Sequence, residues 1–243
     1  MKRLREMHWV IVVLFVSLAA WAGDKKTKPA PNPVVDSGSF GVFVKGERVM
    51  TESFHIEQQN GLSVIKSQLK EASSSNTLQK CELAITSSGE LIRYEWNQES
   101  GGSLTVLPNN DFLIERITAS AAAKASETPF LMPNTSPVLD NNFFVLREVL
   151  LWRYLAADCK PQKGCEQSPM DFGVIVPQDH TSMPVKVELV GNDKVTIHGA
   201  QRDLLKIKLT GESFEWALWV DPQDQFKLIR VAIPADNIEV DRD

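Results

Sequence analysis

Short stretches in which hydrophobic and polar residues alternate follow one another along most of the chain. Phe40, Val42 and Val44 share one face of the first stretch, and turns rich in glycine and asparagine separate the stretches. Alternation with a period of two indicates β-strands with one buried face, and the pair Asn60-Gly61 is typical of a two-residue hairpin turn. The pattern therefore predicts antiparallel strands joined by short turns.

The remaining turn signals define how these strands follow one another. Ser87-Ser88-Gly89 predicts a second hairpin, and Gly191-Asn192-Asp193 predicts a turn between strands at Val185–Val190 and Lys194–His198. Thr118–Pro137 has no clear period and is expected to be irregular, with a short strand at most. No alternation of strands and helices occurs, which excludes a doubly wound parallel sheet.

One segment interrupts the strand pattern. Residues 142–157 contain neither glycine nor proline, and the triplet Asp140-Asn141-Asn142 at the start of this segment can cap a helix. They are apolar nearly all the way round, with Arg147, Glu148 and Arg153 as interruptions. A helix that is apolar on every side is a buried one. We therefore predict a mainly β fold, in which a strongly curved antiparallel sheet, a half-open barrel, wraps around one buried helix at about residues 142–157.

The first 22 residues have the three-part layout of a cleavable export signal. A basic start, Lys2 to Arg5, precedes an uncharged segment of about 13 residues, which ends at Ala20-Trp21-Ala22. This segment is shorter than the roughly 20 residues that span a bilayer. We predict cleavage and export to the periplasm or the exterior, with an uncleaved N-terminal anchor as the alternative. No other stretch is long enough to span a membrane, so the mature chain is expected to be soluble.

The mature chain is acidic. Removal of residues 1–22 takes away three of the 26 basic residues and one of the 31 acidic residues, which leaves 23 and 30 and a formal net charge of −7. Nucleic acids and anionic membranes bind basic patches, so neither is an expected partner. The Lys- and Pro-rich residues 23–37 are predicted to form a disordered tether, and residues 38–243 a single β-rich domain.

The chain has three cysteines. Cys159 and Cys165 enclose a short segment with Pro161 and Gly164, which is typical of a tight loop. Because exported proteins reside where disulfides persist, we predict that this pair is bonded. Cys81 alternates with apolar neighbours and is predicted to be a buried free thiol. The two loop cysteines have no further ligands at zinc spacing, so no metal site is expected.

Catalytic motifs are absent from the sequence. The histidines of the mature chain, His55, His180 and His198, are far apart, and no nucleophile elbow or phosphate-binding glycine loop is present. Spacing alone does not single out any pair among the 30 carboxylates as general acid and base. We therefore expect no catalytic residues and no cofactor, and interpret the protein as not an enzyme.

The aromatic residues leave two hypotheses open. They either fill a solid core or line a hydrophobic slot between sheet and helix, since barrel-like sheets readily enclose apolar ligands. Arg147 and Arg153 either pair with carboxylates such as Glu148 or Glu95, or lie at the mouth of the slot and bind an acidic headgroup. The candidate ligand-binding residues are Arg147, Arg153, Trp96, Trp152 and Trp216.

The C-terminal pattern resembles a known group of proteins. The segment Ala217–Pro222 contains Trp-Val-Asp and is followed by a turn and by Phe226–Pro234, a strand that ends in Ile-Pro. This ending resembles uncharacterised bacterial periplasmic proteins, which are similar to the lipoprotein-carrier class of half-open barrels. The resemblance implies a curved sheet that wraps a helix and holds acyl chains, and hence a carrier of a hydrophobic or lipid-like ligand. The alternative is a periplasmic interaction or assembly module with a solid core and no ligand; no particular partner protein is indicated.

Overall fold

The computed structural model describes residues 34–120, 122–160, 164–165 and 167–243. These residues form sixteen strands, one α-helix and two short 3₁₀ helices. The helix α1 spans Val145–Asp158, and the 3₁₀ helices span Pro177–Asp179 and Pro234–Asp236. The strands are β1 Val34–Val44, β2 Glu47–Gln59, β3 Leu62–Glu71, β4 Thr77–Thr86, β5 Leu91–Gln98, β6 Ser103–Asn109, β7 Phe112–Thr118, β8 Ser126–Phe130, β9 Cys159–Lys160, β10 Gly164–Cys165, β11 Met170–Val176, β12 Thr181–Ile197, β13 Ala200–Thr210, β14 Glu215–Asp221, β15 Lys227–Ile233 and β16 Ile238–Arg242.

The predicted signal peptide, residues 1–22, and most of the predicted tether lie outside the described residues. The end of the tether does not: β1 begins at Val34, so residues 34–37 belong to the domain. The physical reason is Asp36, which is 4% exposed and whose Oδ1 accepts a hydrogen bond from Arg242 Nη2 at 2.7 Å. This contact holds the start of β1 on the sheet four residues before the predicted boundary.

Fourteen of the strands form one antiparallel sheet. Its spatial order runs from β11 through β16 to β1 and on through β8. The first and last strands of the chain, β1 and β16, therefore pair with each other near the middle of the sheet, with Val42 opposite Val240. Nearly every connection is a hairpin between sequence neighbours, as the alternation and turn signals predict.

The sheet curves until its two ends approach each other. Nδ1 of His180, which follows β11, lies 2.9 Å from Oε2 of Glu115 on β7, and Gln178 Nε2 donates to Tyr94 Oη on β5 at 3.1 Å. Residues 137–139 run alongside β11, where Leu139 N donates to Ile175 O at 2.9 Å. The result is a nearly closed antiparallel barrel, which confirms the predicted mainly β fold class.

A carboxylate from a distant strand fixes the start of α1. Glu52 Oε2 on β2 accepts a hydrogen bond from Phe144 N at 2.6 Å, and Oε1 accepts one from Val145 N at 3.2 Å. Free N–H groups at a helix start need such acceptors. Asp140 Oδ1 instead accepts from Asn142 N at 2.7 Å, within the turn before the helix. The helix therefore begins three residues after the predicted position and ends at Asp158, one residue beyond it.

Further hydrogen bonds attach α1 to the wall of the barrel at two other places. Glu148 Oε2 accepts from Leu228 N on β15 at 3.0 Å, and Tyr154 Oη accepts from Leu189 N on β12 at 2.9 Å. Together with the bonds to β2, these contacts join the helix to three well-separated strands. Leu150, Leu151 and Tyr154 are all buried. The sheet therefore wraps the helix, as the all-round apolar pattern predicts.

One predicted turn was wrong. The structure has a hairpin at Asn60-Gly61, as predicted, but residues Gly191-Asn192-Asp193 lie within β12, which continues to Ile197. A shift of register between Leu189 and Gly191 marks a β-bulge, and Gly191 has a φ of +140°. A glycine inside a strand is typical of a bulge as well as of a turn, and the sequence pattern does not separate the two.

The cysteines are arranged as predicted. Cys159 and Cys165 are bonded with an S–S distance of 2.01 Å, directly after α1, and Cys81 is a buried free thiol. Burial also raises the pKa of the Cys81 thiol well above its usual value. Within the described part of the chain, no helix is long and apolar enough to cross a bilayer.

We expect non-reducing peptide mapping to recover Cys159 and Cys165 in one linked pair. Because Cys81 is buried and its thiol holds its proton, it should resist alkylation in the folded protein and react fully in denaturant. A bridge from Cys81 to either loop cysteine would contradict the strand arrangement, since Cys81 lies on β4 opposite Trp96 of β5.

Candidate functional site

A cavity of about 530 Å³ lies between α1 and the ends of two hairpins, β2–β3 and β4–β5. Its inner part is lined by buried aliphatic side chains from four strands and the helix. Towards solvent, the lining consists of the exposed Leu62 and of amide and hydroxyl side chains of the two hairpin turns, whereas the hydroxyl of Ser136 is buried. The aliphatic group consists of Ile56, Ile65, Leu83, Leu91, Leu146 and Leu150, together with Val138 from the segment before α1.

The helical period explains which side of α1 lines the cavity. Leu146, Val149, Leu150, Arg153 and Ala156 recur at intervals of three and four residues, which places them on one face. The opposite side of the helix packs into the core through other large residues. On the sheet, the alternation along each strand determines which residues line the cavity, because every second residue of a strand points inward.

Arg153 is the charged residue of the lining. Its Nη1 donates to the carbonyl of Thr135, and its guanidinium lies 5.6 Å from the centroid of the Phe172 ring. No carboxylate of the described residues forms an ion pair with it, and its partial burial lowers the pKa of the guanidinium. The helix thus carries one cation to a cavity whose other described lining residues are uncharged.

Trp152 also lines the cavity. Its indole Nε1 donates to Phe226 O at 3.2 Å, at the turn before β15, and the ring is partly buried. This bond fixes the indole plane, since a tryptophan has a single donor. Trp152 and Arg153 are therefore the two sequence-predicted candidates that the structure brings to the cavity.

Arg147 lies elsewhere. It is 1% exposed, and its guanidinium lies between the rings of Phe144 and Trp216, at 4.5 and 4.6 Å from their centroids. Its Nη1 donates to the carbonyls of Asp140 and Phe143 at 2.8 and 2.9 Å, and burial lowers its pKa to about 10. Arg147 is thus held by carbonyl oxygens and aromatic rings.

Neither expected environment of Arg147 is observed. It does not line the cavity, and its expected carboxylate partners are engaged by other arginines: Glu148 by Arg242 at 3.2 Å and Glu95 by Arg93 at 3.2 Å. The physical reason is the helical turn, which directs Arg147 about 100° away from Leu146 on the cavity face.

The last two candidates also lie outside the cavity lining. Trp96 on β5 donates through Nε1 to Gln79 Oε1 at 3.2 Å and packs against the core from a partly exposed position. Trp216 on β14 contacts Phe214 with ring centroids 4.8 Å apart and covers Arg147. Both tryptophans support the packing of the barrel.

A buried polar cluster that sequence reasoning missed surrounds the start of α1. Glu52 is fully buried and accepts a hydrogen bond from Ser67 Oγ at 2.7 Å in addition to those from the helix, and burial raises its pKa to about 7. Asp140, also buried, accepts hydrogen bonds from Tyr94 and Gln178. The strand alternation contained a signal for this residue. Glu52 lies two and four residues before Phe54 and Ile56 and therefore faces inward on β2 with them.

Comparison with known proteins identifies no family. No protein-family model and no curated protein matches the chain. It is similar to the crystal structure of a beta-barrel-like protein of domain of unknown function DUF1849 from Brucella abortus, with a TM-score of 0.49 and 5% sequence identity, over 85% of this chain and 93% of that chain. The fold and the site of this chain themselves define its class, a nearly closed antiparallel barrel with one internal helix and an apolar cavity beside it.

Proposed function

We propose that this chain is a non-catalytic exported protein that binds or carries a hydrophobic, lipid-like molecule. The observation that carries the proposal is the cavity of about 530 Å³, whose inner walls are aliphatic and whose opening is mostly polar. Small-molecule sites are typically of about 300–1,000 Å³, mostly apolar, with a few polar groups that orient the ligand. The two sequence hypotheses differed in whether the core is solid, and this cavity favours the carrier.

The chemistry of the lining supports binding without catalysis. The lining side chains are aliphatic, amide, hydroxyl and indole groups with the single guanidinium of Arg153. Over the ranges that the structure describes, the lining includes no carboxylate, histidine or thiol, which are the usual general acids and bases. We propose Leu146, Leu150, Trp152 and Arg153 as ligand contacts.

Two features support an exported location. The N-terminal residues 1–22 have the layout of a signal peptide. The bond between Cys159 and Cys165 is of a kind that persists in oxidising compartments. Separately, a formal net charge of −7 after cleavage argues against adhesion to an anionic membrane surface.

The proposal is tested by closing the cavity mouth. Ala156 and Ala157 are both exposed near the end of α1, but of the two only Ala156 lines the cavity. In Ala156→Trp the indole should occupy the opening and weaken the binding of a fluorescent apolar probe about tenfold or more, which corresponds to about 1.4 kcal/mol. Ala157→Trp, the matched control, should bind the probe as the wild type does.

Both variants are first compared with the wild type by thermal unfolding, so that a loss of binding is not a loss of fold. Equal binding of the probe by both variants would place the site outside this cavity. No binding by the wild-type protein, freed of endogenous ligand by organic extraction and refolding, would favour the assembly module instead.

A further inference from the structure

Charge is distributed unevenly around the cavity. Among the described residues that line it, Arg153 alone carries a charge, while the nearby polar groups are neutral hydroxyls and amides such as Ser87, Ser136 and Gln58. A cation beside an apolar space favours a ligand of opposite charge, because there is little water to screen it. The cavity is therefore electrostatically biased towards an anion.

The partners of Arg153 leave it free to bind such an anion. A guanidinium has five N–H donors, and within the described structure Nη1 of Arg153 bonds to the Thr135 carbonyl without any carboxylate in ion-pair contact. Apart from the buried Arg147, the other arginines in the described ranges each contact a carboxylate. These are Arg48, Arg93, Arg116, Arg202, Arg230 and Arg242.

Arg153 lies at the open end of the cavity. A Cβ atom built on Gly89, in the turn between β4 and β5, would be 3.6 Å from Arg153 Nη1, and the neighbouring Ser87 and Ser88 are exposed. Leu146 lies seven residues earlier on the same helix face, about 10 Å along the axis. The cavity thus has a cationic entrance and an aliphatic wall that runs inward along α1.

This polarity matches an amphiphile. We infer that the ligand has one alkyl chain and an oxyanion head, and that Arg153 binds the head while the chain lies along α1 towards Leu146. The inference rests on the proposed function and specifies its ligand class. A volume in the lower half of the usual range of about 300–1,000 Å³ favours a single chain over the several chains of a phospholipid or an acylated protein.

The experiment compares three probes that share a 16-carbon chain: hexadecanoate, hexadecyl phosphate and hexadecanol. Each is titrated, below its micelle concentration, into extracted wild-type protein and into Arg153→Gln, with Arg93→Gln as control because Arg93 lies outside the cavity lining. A hydrogen bond to a charged group contributes about 1.5–3 kcal/mol, so at least one acid should bind the wild type about 10- to 100-fold more tightly than the alcohol. Arg153→Gln should remove that preference, which is measured as the ratio of the acid and alcohol affinities within one protein, whereas Arg93→Gln should keep it.

The outcomes separate this inference from the proposed function. Equal affinity of the wild type for acids and alcohol would overturn the inference and leave the carrier intact, and this comparison requires no variant. Preference for an acid that persists in Arg153→Gln would also overturn it, since another group would then bind the head. Binding of hexadecyl phosphate but not of hexadecanoate would support the inference and assign the head to phosphate. No binding of any probe would contradict the proposed function itself.

Discussion

Replacing Arg147 by methionine is expected to lower the free energy of unfolding by about 3 kcal/mol. The substitution removes a buried guanidinium and leaves the Asp140 carbonyl without this donor, while the Phe143 carbonyl keeps only its bond from Leu146 N. A buried polar group left unpaired costs about 1–3 kcal/mol. It also removes the cation that faces the buried Asp140 carboxyl and that lies between two aromatic rings. Urea unfolding followed by tryptophan fluorescence measures the loss.

Arg153→Met is the matched control for this prediction. Arg153 is partly exposed and has no described carboxylate partner, so its replacement should change the free energy of unfolding by less than about 1 kcal/mol. For ligand retention the order of the two variants should be reversed: Arg153→Met should lose bound ligand, and folded Arg147→Met should retain nearly all of it. Equal losses of stability in the two variants, with bound lipid unchanged in both, would favour the assembly-module hypothesis over the carrier.

The second large effect is a dependence of stability on pH through Glu52. Burial raises the pKa of this carboxyl from its ordinary value of 4.5 to about 7 in the folded protein. A carboxyl with a higher pKa in the folded state binds its proton more tightly there, so the contribution of Glu52 to stability is most favourable below about pH 4.5. This contribution should then fall by about 3 kcal/mol as the pH rises to 7 and should be constant above that.

Glu52→Gln isolates this contribution. The glutamine carbonyl oxygen can still accept the hydrogen bond from Phe144 N, and the amide does not titrate. The amide nitrogen at the other position cannot accept from Val145 N, but the loss of that bond is independent of pH. Other carboxyls with raised pKa values, Asp140 and Glu148, remain in both proteins. The difference between the two stability curves should therefore change by about 3 kcal/mol between pH 4.5 and 7, in favour of the variant at the higher pH. Parallel curves would show that Glu52 does not titrate in this range.

Much of the fold could be predicted because its signals are local. Alternation identifies strands, Asn60-Gly61 identifies a hairpin, and an uninterrupted apolar segment identifies the helix. Thr118–Pro137 was expected to be irregular with a short strand at most, and the structure has only β8 there. An antiparallel sheet with short connections follows directly from such local information.

The features that could not be predicted depend on distant contacts. Glu52 caps a helix that begins 93 residues later, so the capping triplet before the helix gave the wrong start. β16 pairs with β1 across the whole length of the domain. Its five residues follow Pro234, where the sequence pattern indicated only the end of a strand. Neither contact leaves a local pattern.

The sequence predicted the kind of site, but only some of the residues that form it. A slot between sheet and helix was one of the two hypotheses, and Trp152 and Arg153 do line the cavity. Arg147 could not be distinguished from Arg153 because α1 is apolar nearly all the way round. A helix without a polar side gives no indication of which of its faces meets packed core and which meets a cavity.

The most direct test of the carrier hypothesis is native mass spectrometry of wild-type protein purified from the compartment to which it is exported. We expect a population heavier than the polypeptide by the mass of a single-chain anionic lipid, which organic extraction releases and which Ala156→Trp lacks. The polypeptide mass should otherwise be that of the chain from Gly23 onward with one disulfide. Wild-type protein that carries no ligand and takes up none from a total lipid extract of the source membrane would contradict the account.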